Sequence, residues 1–257
     1  MSLSNRDEFL DRPTANAHFW PDPHNEVLAP CDLARAERGT WIGISKSGKF
    51  AALLNFHEED SAKVVGEVSR GKFPKDFLSS AQPTIDWIRK TRASYGESLE
   101  KAGGFTLVCG EVHPDNVNLS LFSNRPNNKE QLFDENEKTV CISNALMHQE
   151  WPKVELGKKL LTETIDRSTR ENWTQDVLID HLFGILSTDT YPKESSDLIH
   201  DLRKSIFIPK LPLKTALGET YGTRTQTVIL VKRSGEIKYI ERNVLSGATE
   251  DFSLLVN

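Results

Sequence analysis

The chain has 257 residues, of which 37% are hydrophobic, 8% aromatic and 27% charged, and 32 Lys and Arg against 37 Asp and Glu leave a formal charge of −5. That is the composition of an ordinary globular protein, long enough to bury a core without disulfides or metal, and its mild negative charge argues against a nucleic-acid-binding domain. Three cysteines, Cys31, Cys109 and Cys141, are too few for a disulfide framework and suit a reducing, cytoplasmic compartment, while no apolar run approaches the roughly 18–20 residues of a membrane span and the polar stretch from Met1 to Asp11 is no secretory signal.

In chain order, the first quarter reads as loop-rich. Asp11-Arg12-Pro13-Thr14 and Pro21-Asp22-Pro23-His24 mark turns, because proline fixes φ and donates no backbone hydrogen bond. A hairpin follows. Thr40 to Ser45 and Lys49 to Phe56 are its strands, with Lys46-Ser47-Gly48 as a turn in which Gly48 takes positive φ. The second strand is apolar on both faces, the pattern of a central buried strand. Residues 58–70 are polar and read as loop. Pro74 opens a short helix over Lys75 to Ser80, and a second helix runs from Thr84 to Tyr95-Gly96 with Ile85, Trp87 and Ile88 inward. Strands are expected at Phe105 to Gly110, Asn118 to Ser123 and Thr139 to Ser143, with Pro126-Asn127-Asn128 a turn.

After Trp151-Pro152 the period becomes helical. Leu156, Leu160, Leu161, Thr164 and Ile165 share one face, and a second helix begins near Trp173 with Thr174 as its N-cap and Val177, Leu178, Leu182, Ile185 and Leu186 inward. Ser195 to Arg203 reads as a short third helix. Thr227 to Lys232 and Glu236 to Glu241 form a closing hairpin across Ser234-Gly235, its last strand alternating apolar and charged so that one face meets water. There is no internal repeat and no linker, so residues 1–257 read as one α+β domain of antiparallel sheets with helices packed outside.

No metal-ligand spacing, phosphate-cradling glycine loop or Gly-x-Ser-x-Gly elbow occurs, and none of the seven histidines pair at helical i, i+4 spacing. Cys109 and Cys141 sit in apolar strands and read as inert core thiols. Four short polar sites stand where strands end or turn: Asn5-Arg6-Asp7-Glu8, Asn55, Ser143-Asn144, and Tyr221 to Thr225. Asparagine offers donor and acceptor and suits an oxyanion hole; Arg6 and Arg224 carry planar forks for a carboxylate or pyrophosphate. Each has an ordinary structural alternative, as a turn former or a local ion pair.

Together these blocks resemble the NRDE family of transport and Golgi organisation proteins. The resemblance rests on Asn5-Arg6-Asp7-Glu8-Phe9 with Arg12-Pro13-Thr14 and Phe19-Trp20. It continues through Gly39 to Ser45, Gly48 to Asn55, Gly104-Phe105, Ser143 to Leu146 with Trp151-Pro152-Lys153, and Tyr221 to Val231, in family order. The family in turn resembles N-terminal-nucleophile hydrolases, which implies a four-layer αββα sandwich of two antiparallel sheets. It also implies a pocket built from Arg6, Asp7, Asn55, Asn144 and Arg224. In the hydrolases a cysteine following the initiator Met is the nucleophile. Asp7 would then orient the α-amine, Arg6 would support the thiolate, Asn55 and Asn144 would donate to an oxyanion, and Arg224 would hold the pocket or an acidic ligand group.

Family members begin Met-Cys, followed by a hairpin that delivers the NRDE segment. This sequence begins Met1-Ser2-Leu3-Ser4, so the resemblance implies that the first hairpin and its cysteine are lacking here. Ser2 is a formal hydroxyl substitute. Standing three residues before Asn5, it cannot retrace a hairpin at about 3.3 Å per residue. The expectation is therefore a cytosolic, non-catalytic protein, associated with the Golgi or mitochondria, that handles haem or an acyl-CoA-type lipid and meets secretory-pathway proteins. The alternatives are an amidase or thioesterase whose nucleophile lies upstream, and an interaction scaffold.

Overall fold

A computed structural model of the chain describes residues 1–56, 68–114, 116–125, 139–145, 151–195, 197–215 and 217–256. Two antiparallel sheets stack face to face. The larger is a six-stranded meander in sequence order, β2 (Thr14–Phe19), β3 (Val27–Asp32), β4 (Ile42–Ser45), β5 (Lys49–Asn55), β6 (Phe105–His113) and β7 (Asn116–Ser123). The smaller joins the two ends of the chain. Its order is β1 (Ser2–Phe9), β9 (Gly218–Val231), β10 (Glu236–Asn243) and β11 (Thr249–Leu255), with β8 (Leu211–Thr215) also paired to β9.

Helices cover both outer faces. On the larger sheet lie α1 (Lys72–Leu78), α2 (Thr84–Tyr95) and a 3₁₀ turn over Gly96–Ala102. Phe73 and Phe77 of α1 and Trp87 and Ile88 of α2 pack onto Ala51, Phe105, Leu107 and Phe122. Phe73 is the centre of this layer, its ring stacked on Phe105 at 4.7 Å and meeting Phe122 edge-on at 6.2 Å. On the smaller sheet, α4 (Gln175–Leu186) buries Ile179, Leu182, Phe183, Ile185 and Leu186 against Val228, Leu230 and Ile240. α3 (Pro152–Arg170) adds Leu160 and Leu161 at the margin of that layer, and α5 (Leu198–Asp201) is a single turn. Between the sheets, Leu28, Ile42, Ile44, Ile229, Ile237 and Tyr239 form the central layer. The expected αββα sandwich of two antiparallel sheets is thus present.

The turns follow their glycines: Gly48 and Gly235 take φ of +79° and +84° in the two hairpins where positive φ was required. Thr174 caps α4 as expected, its Oγ1 accepting from the Val177 amide at 3.4 Å.

Several expectations are corrected. The N-terminal quarter is not loop-rich but holds β1, β2 and β3. β1 is polar because it is an edge strand, which hydrophobic alternation does not mark. Pro30 is tolerated in β3 because it lies opposite the irregular stretch between Ala15 and His18, where no ladder bond needs its missing N–H. Thr139 to Ser143 forms no strand; Val140 and Ile142 turn instead toward the space between the sheets, Ile142 packing on the central layer. The first short helix starts earlier, at Lys72, and the third is only Leu198–Asp201, capped by the Asp197 carboxylate on the His200 amide at 2.9 Å. Ile85 is only half-buried, whereas Thr84 and Thr91 join Trp87 and Ile88 inside. β10 meets water only in part: Glu236, Lys238 and Arg242 are partly exposed on the face where Ile240 packs on α4, while Ile237 and Tyr239 face the central layer and Glu241 is 2% exposed. The polar loop expected at 58–70 falls largely outside the described residues, as does the turn at Pro126-Asn127-Asn128.

Glu241 stitches the two sheets. Its Oε1 accepts the Ala17 amide of β2 at 2.8 Å, while its Oε2 is buried without a partner among the described residues. Burial lifts this carboxyl to about 7, against the Ala17 amide and Arg6, which favour the charged form. A carboxyl whose folded value lies above its unfolded value holds more protons in the folded state between the two, so stability falls as pH rises from about 4.5 to about 7. Glu241→Gln keeps an oxygen for Ala17 and removes the charge. It is expected to match the unchanged protein at pH 4 and to exceed it at pH 8 by as much as about 3 kcal/mol. Urea unfolding at the two pH values checks this.

Candidate functional site

The NRDE segment is β1 itself. It pairs with β9 in regular register from Ser2↔Ile229 to Arg6↔Thr225, then slips so that Asp7 faces Thr223. The extra β9 residue at this bulge is Arg224. Alternation along β1 sends Arg6 into the space between the sheets and Asp7 to the opposite side.

Arg6 is 9% exposed and lies over the Trp41 ring at 4.2 Å, with Nη2 reaching Glu8 Oε2 at 3.4 Å. Its Nη1 is buried and has no hydrogen-bond partner among the described residues. Burial lowers its pKa against the pull of Glu8 and Asp32. Beside it Arg12 grips Asp32 through two nitrogens, at 3.3 Å and 2.7 Å. Asp7 accepts the Thr223 hydroxyl at 2.7 Å, lies 4.0 Å from Lys153 Nζ, and its carbonyl accepts the Tyr221 hydroxyl at 3.1 Å. Burial raises the Asp7 carboxyl, offset in part by Lys153, Thr223 and Arg6. Burial likewise lowers the Lys153 ammonium, with Asp7 pulling it back. Asn5 lines the pocket but commits its amide nitrogen to the fold. Its Nδ2 donates to the carbonyls of Leu186 and Ile206, both at 2.8 Å, and ties β1 to the helical layer.

A cavity of about 1940 Å³ opens beside β1. Its wall includes Arg6, Asp7, Asn55 and Asn144, so four of the five expected pocket residues share one space although nearly 140 residues separate the first from the last. Asn55 is the last, exposed residue of β5, and Asn144 is half-buried at the end of the 139–145 segment. Arg224 does not line this wall. Its Nη1 donates to the Arg12 carbonyl and fastens the bulge. Ser2 lies in β1 four residues before Arg6, about 13 Å along an extended strand. Cys141 also lines the cavity, half-buried rather than in the core, whereas Cys109 is buried and its thiol is pushed up to about 12.

The wall is amphipathic. Phe50, Ala52, Leu54, Val108 and Ile142 give it an apolar floor, while its described residues include six basic side chains, Arg6, Arg12, Arg35, Arg70, Lys153 and Arg203, against four carboxylates, Asp7, Glu8, Asp32 and Asp197. A chain of net charge −5 thus turns a positive wall to this space.

The Transport and Golgi organisation 2 family model matches residues 2–246. The chain belongs to this family. Relatives include the Transport and Golgi organization protein 2 homolog of Bos taurus, 30% identical over 94% of this chain and 85% of its own length, and the Transport and Golgi organization 2 homolog of Mus musculus, 29% identical over 96% and 87%. The Drosophila melanogaster Transport and Golgi organization protein 2 is 27% identical over 94% and 84%. Among solved structures, a mutant conjugated bile acid hydrolase from Clostridium perfringens aligns with a TM-score of 0.38 and 11% identity, over 88% of this chain and 76% of that one.

Four contributors to the site in this family member were not assigned a part from sequence: Trp41, Lys153, Arg203 and Tyr221. Trp41 and Lys153 stood within the blocks that carry the family resemblance, and Tyr221 opened a polar block, but nothing in their spacing said which side chain each would meet. Arg203 carried no signal at all. None of the described helices is long and apolar enough to cross a membrane, and no described cluster of three His, Cys, Asp or Glu side chains could hold a metal ion.

Asp7 is the only described carboxylate within 4.0 Å of the Lys153 ammonium. Asp7→Ala leaves a buried cation without its partner and is expected to cost about 3 kcal/mol, whereas Asp7→Asn, which still accepts from Thr223, costs less. Denaturant midpoints of the three proteins decide the order.

Proposed function

We propose that the cavity beside β1 binds an amphipathic anion, of the haem or acyl-CoA class, and that the chain carries such a ligand rather than transforming it. The observation that carries the reading is Arg6. A guanidinium is buried on a tryptophan face with one nitrogen unpartnered among the described residues, at the wall of a space with an apolar floor and a positive rim. An unpaired buried donor is costly, and an anionic oxygen of a ligand would satisfy it with a charge-assisted hydrogen bond. The apolar floor formed by Phe50, Leu54, Val108 and Ile142 suits an acyl chain or a porphyrin face. His200 stands in the same wall as a nitrogen donor for haem iron. The relatives' names support a part for such ligand handling in transport and Golgi organisation; the cytoplasm would be its compartment and secretory-pathway proteins its partners.

A second reading is favoured by Asn55 and Asn144, which share the cavity with Arg6 and Asp7. In an amidase or thioesterase they would donate to the oxyanion of a tetrahedral intermediate, and loss of either would cost roughly 10²–10³ in rate. Release of free thiol from palmitoyl-CoA, abolished in Asn144→Ala, would favour it over a carrier.

Calorimetric titration with palmitoyl-CoA and with haemin tests the carrier. Saturable binding at micromolar ligand is expected for at least one, weakened about tenfold or more in Arg6→Ala, since a hydrogen bond to a charged group contributes roughly 1.5–3 kcal/mol. No saturable binding of either sinks the proposal.

A further inference from the structure

We infer that Lys153 and Arg203, set against Trp151, form a second anion-binding subsite in the same cavity, distinct from Arg6 and suited to a phosphate-type oxyanion. The inference deepens the carrier reading but stands on its own residues.

The two cations converge on one ring. Lys153 Nζ lies 5.6 Å and the Arg203 guanidinium 5.1 Å from the Trp151 centroid, and all three side chains line the cavity. The Lys153 amide donates to the Arg203 carbonyl at 3.1 Å, which locks the two backbones together. Like charges held on one aromatic platform repel unless something answers them. The protein supplies little. Among the described residues, Lys153 has a single ion pair, a long one to Asp7 Oδ2 at 4.0 Å, and the other oxygen of that carboxylate accepts the Thr223 hydroxyl. Arg203 Nε is buried and has no hydrogen-bond partner among the described residues.

The helix makes the imbalance worse. Lys153 is the second residue of the 19-residue α3, whose N-cap Trp151 offers no side-chain cap. A cation in the first turn opposes the helix dipole, whose positive end favours an anion. Glu155, the acidic residue of that turn, is exposed rather than turned into the cavity. Two cations, an Nε–H without a partner among the described residues and a positive helix end therefore surround a place where no described carboxylate other than Asp7 pairs with Lys153 or Arg203.

An oxyanion there would accept from Lys153 Nζ and Arg203 Nε. It would sit across β1 from Arg6, because Arg6 and Asp7 leave the strand on opposite sides. A ligand with two separated anionic groups could then straddle the strand, one group on each side.

The probes are inorganic pyrophosphate, inorganic phosphate and coenzyme A, each titrated calorimetrically into the full chain. One saturable pyrophosphate site is expected. Lys153→Met and Arg203→Met should each weaken it about tenfold or more, while Lys153→Arg keeps affinity within about threefold. Arg203→Met, remote from the Asp7 contact, serves if Lys153→Met fails to fold. If coenzyme A loses affinity in parallel in the Met variants, the oxyanion belongs to a phosphate ester; if only the inorganic anions respond, it is free phosphate. The inference is overturned if the unchanged protein takes up no pyrophosphate at about 10 mM, or if both Met variants bind it as the unchanged protein does. Pyrophosphate binding that survives while palmitoyl-CoA and haemin fail removes only the carrier reading.

Discussion

The slip in the ladder between β1 and β9 is the constraint on which the site depends. Up to Arg6↔Thr225 the two strands pair residue for residue; one residue later Asp7 stands opposite Thr223. The extra residue, Arg224, fastens the Arg12 carbonyl, and the slip keeps Thr223 in reach of the Asp7 carboxylate. Without the bulge Asp7 would face Arg224, another cation beside Lys153 and Arg6, and Thr223 would be displaced toward Glu8. The bulge keeps Asp7 from standing opposite Arg224, and alternation along β1 keeps it from Arg6. Arg6 is left on a tryptophan and Asp7 beside a lysine.

How much of this was legible in the sequence differs by element. The hairpin around Gly48, the closing hairpin around Gly235, the capped α4 and the strand at 105–110 were readable because glycine conformation, capping and long apolar runs are local signals. β1 was not readable as a strand from its pattern, since Ser2-Leu3-Ser4-Asn5-Arg6-Asp7-Glu8 is polar on both faces, one lining a cavity and the other tied by Asn5 to helix ends. The opposite error arose at 139–143, where apolar residues suggest a strand but serve as a wall. β10 was half legible: its alternation of apolar and charged residues suggested a wet face, and Glu236, Lys238 and Arg242 stay partly exposed, yet α4 covers Ile240 and the sandwich buries Glu241.

The site shows the same division. Arg6, Asp7, Asn55 and Asn144 came from family resemblance, and the sandwich does bring them to one cavity. The contacts that set their chemistry are long-range. Trp41 under Arg6, Thr223 and Lys153 on Asp7, and Arg203 across Trp151 join segments from both ends and the middle of the chain. No period or short motif encodes such meetings. They exist only after the two sheets and the helices on them have taken their positions.

The way the chain's ends meet also sets an order of assembly. Every pairing in the six-stranded sheet joins strands that follow one another in sequence, although α1 and α2 stand between β5 and β6, so that sheet can assemble strand by strand as the chain leaves the ribosome. The smaller sheet closes a loop of more than 210 residues between β1 and β9, and loops of that length are slow to close. Until β9 is made, β1 is a polar ribbon whose backbone has no ladder, and the Glu241 stitch to Ala17 has no second half. The cavity is therefore the last thing the molecule acquires, completed when the C-terminal quarter folds back onto the first nine residues.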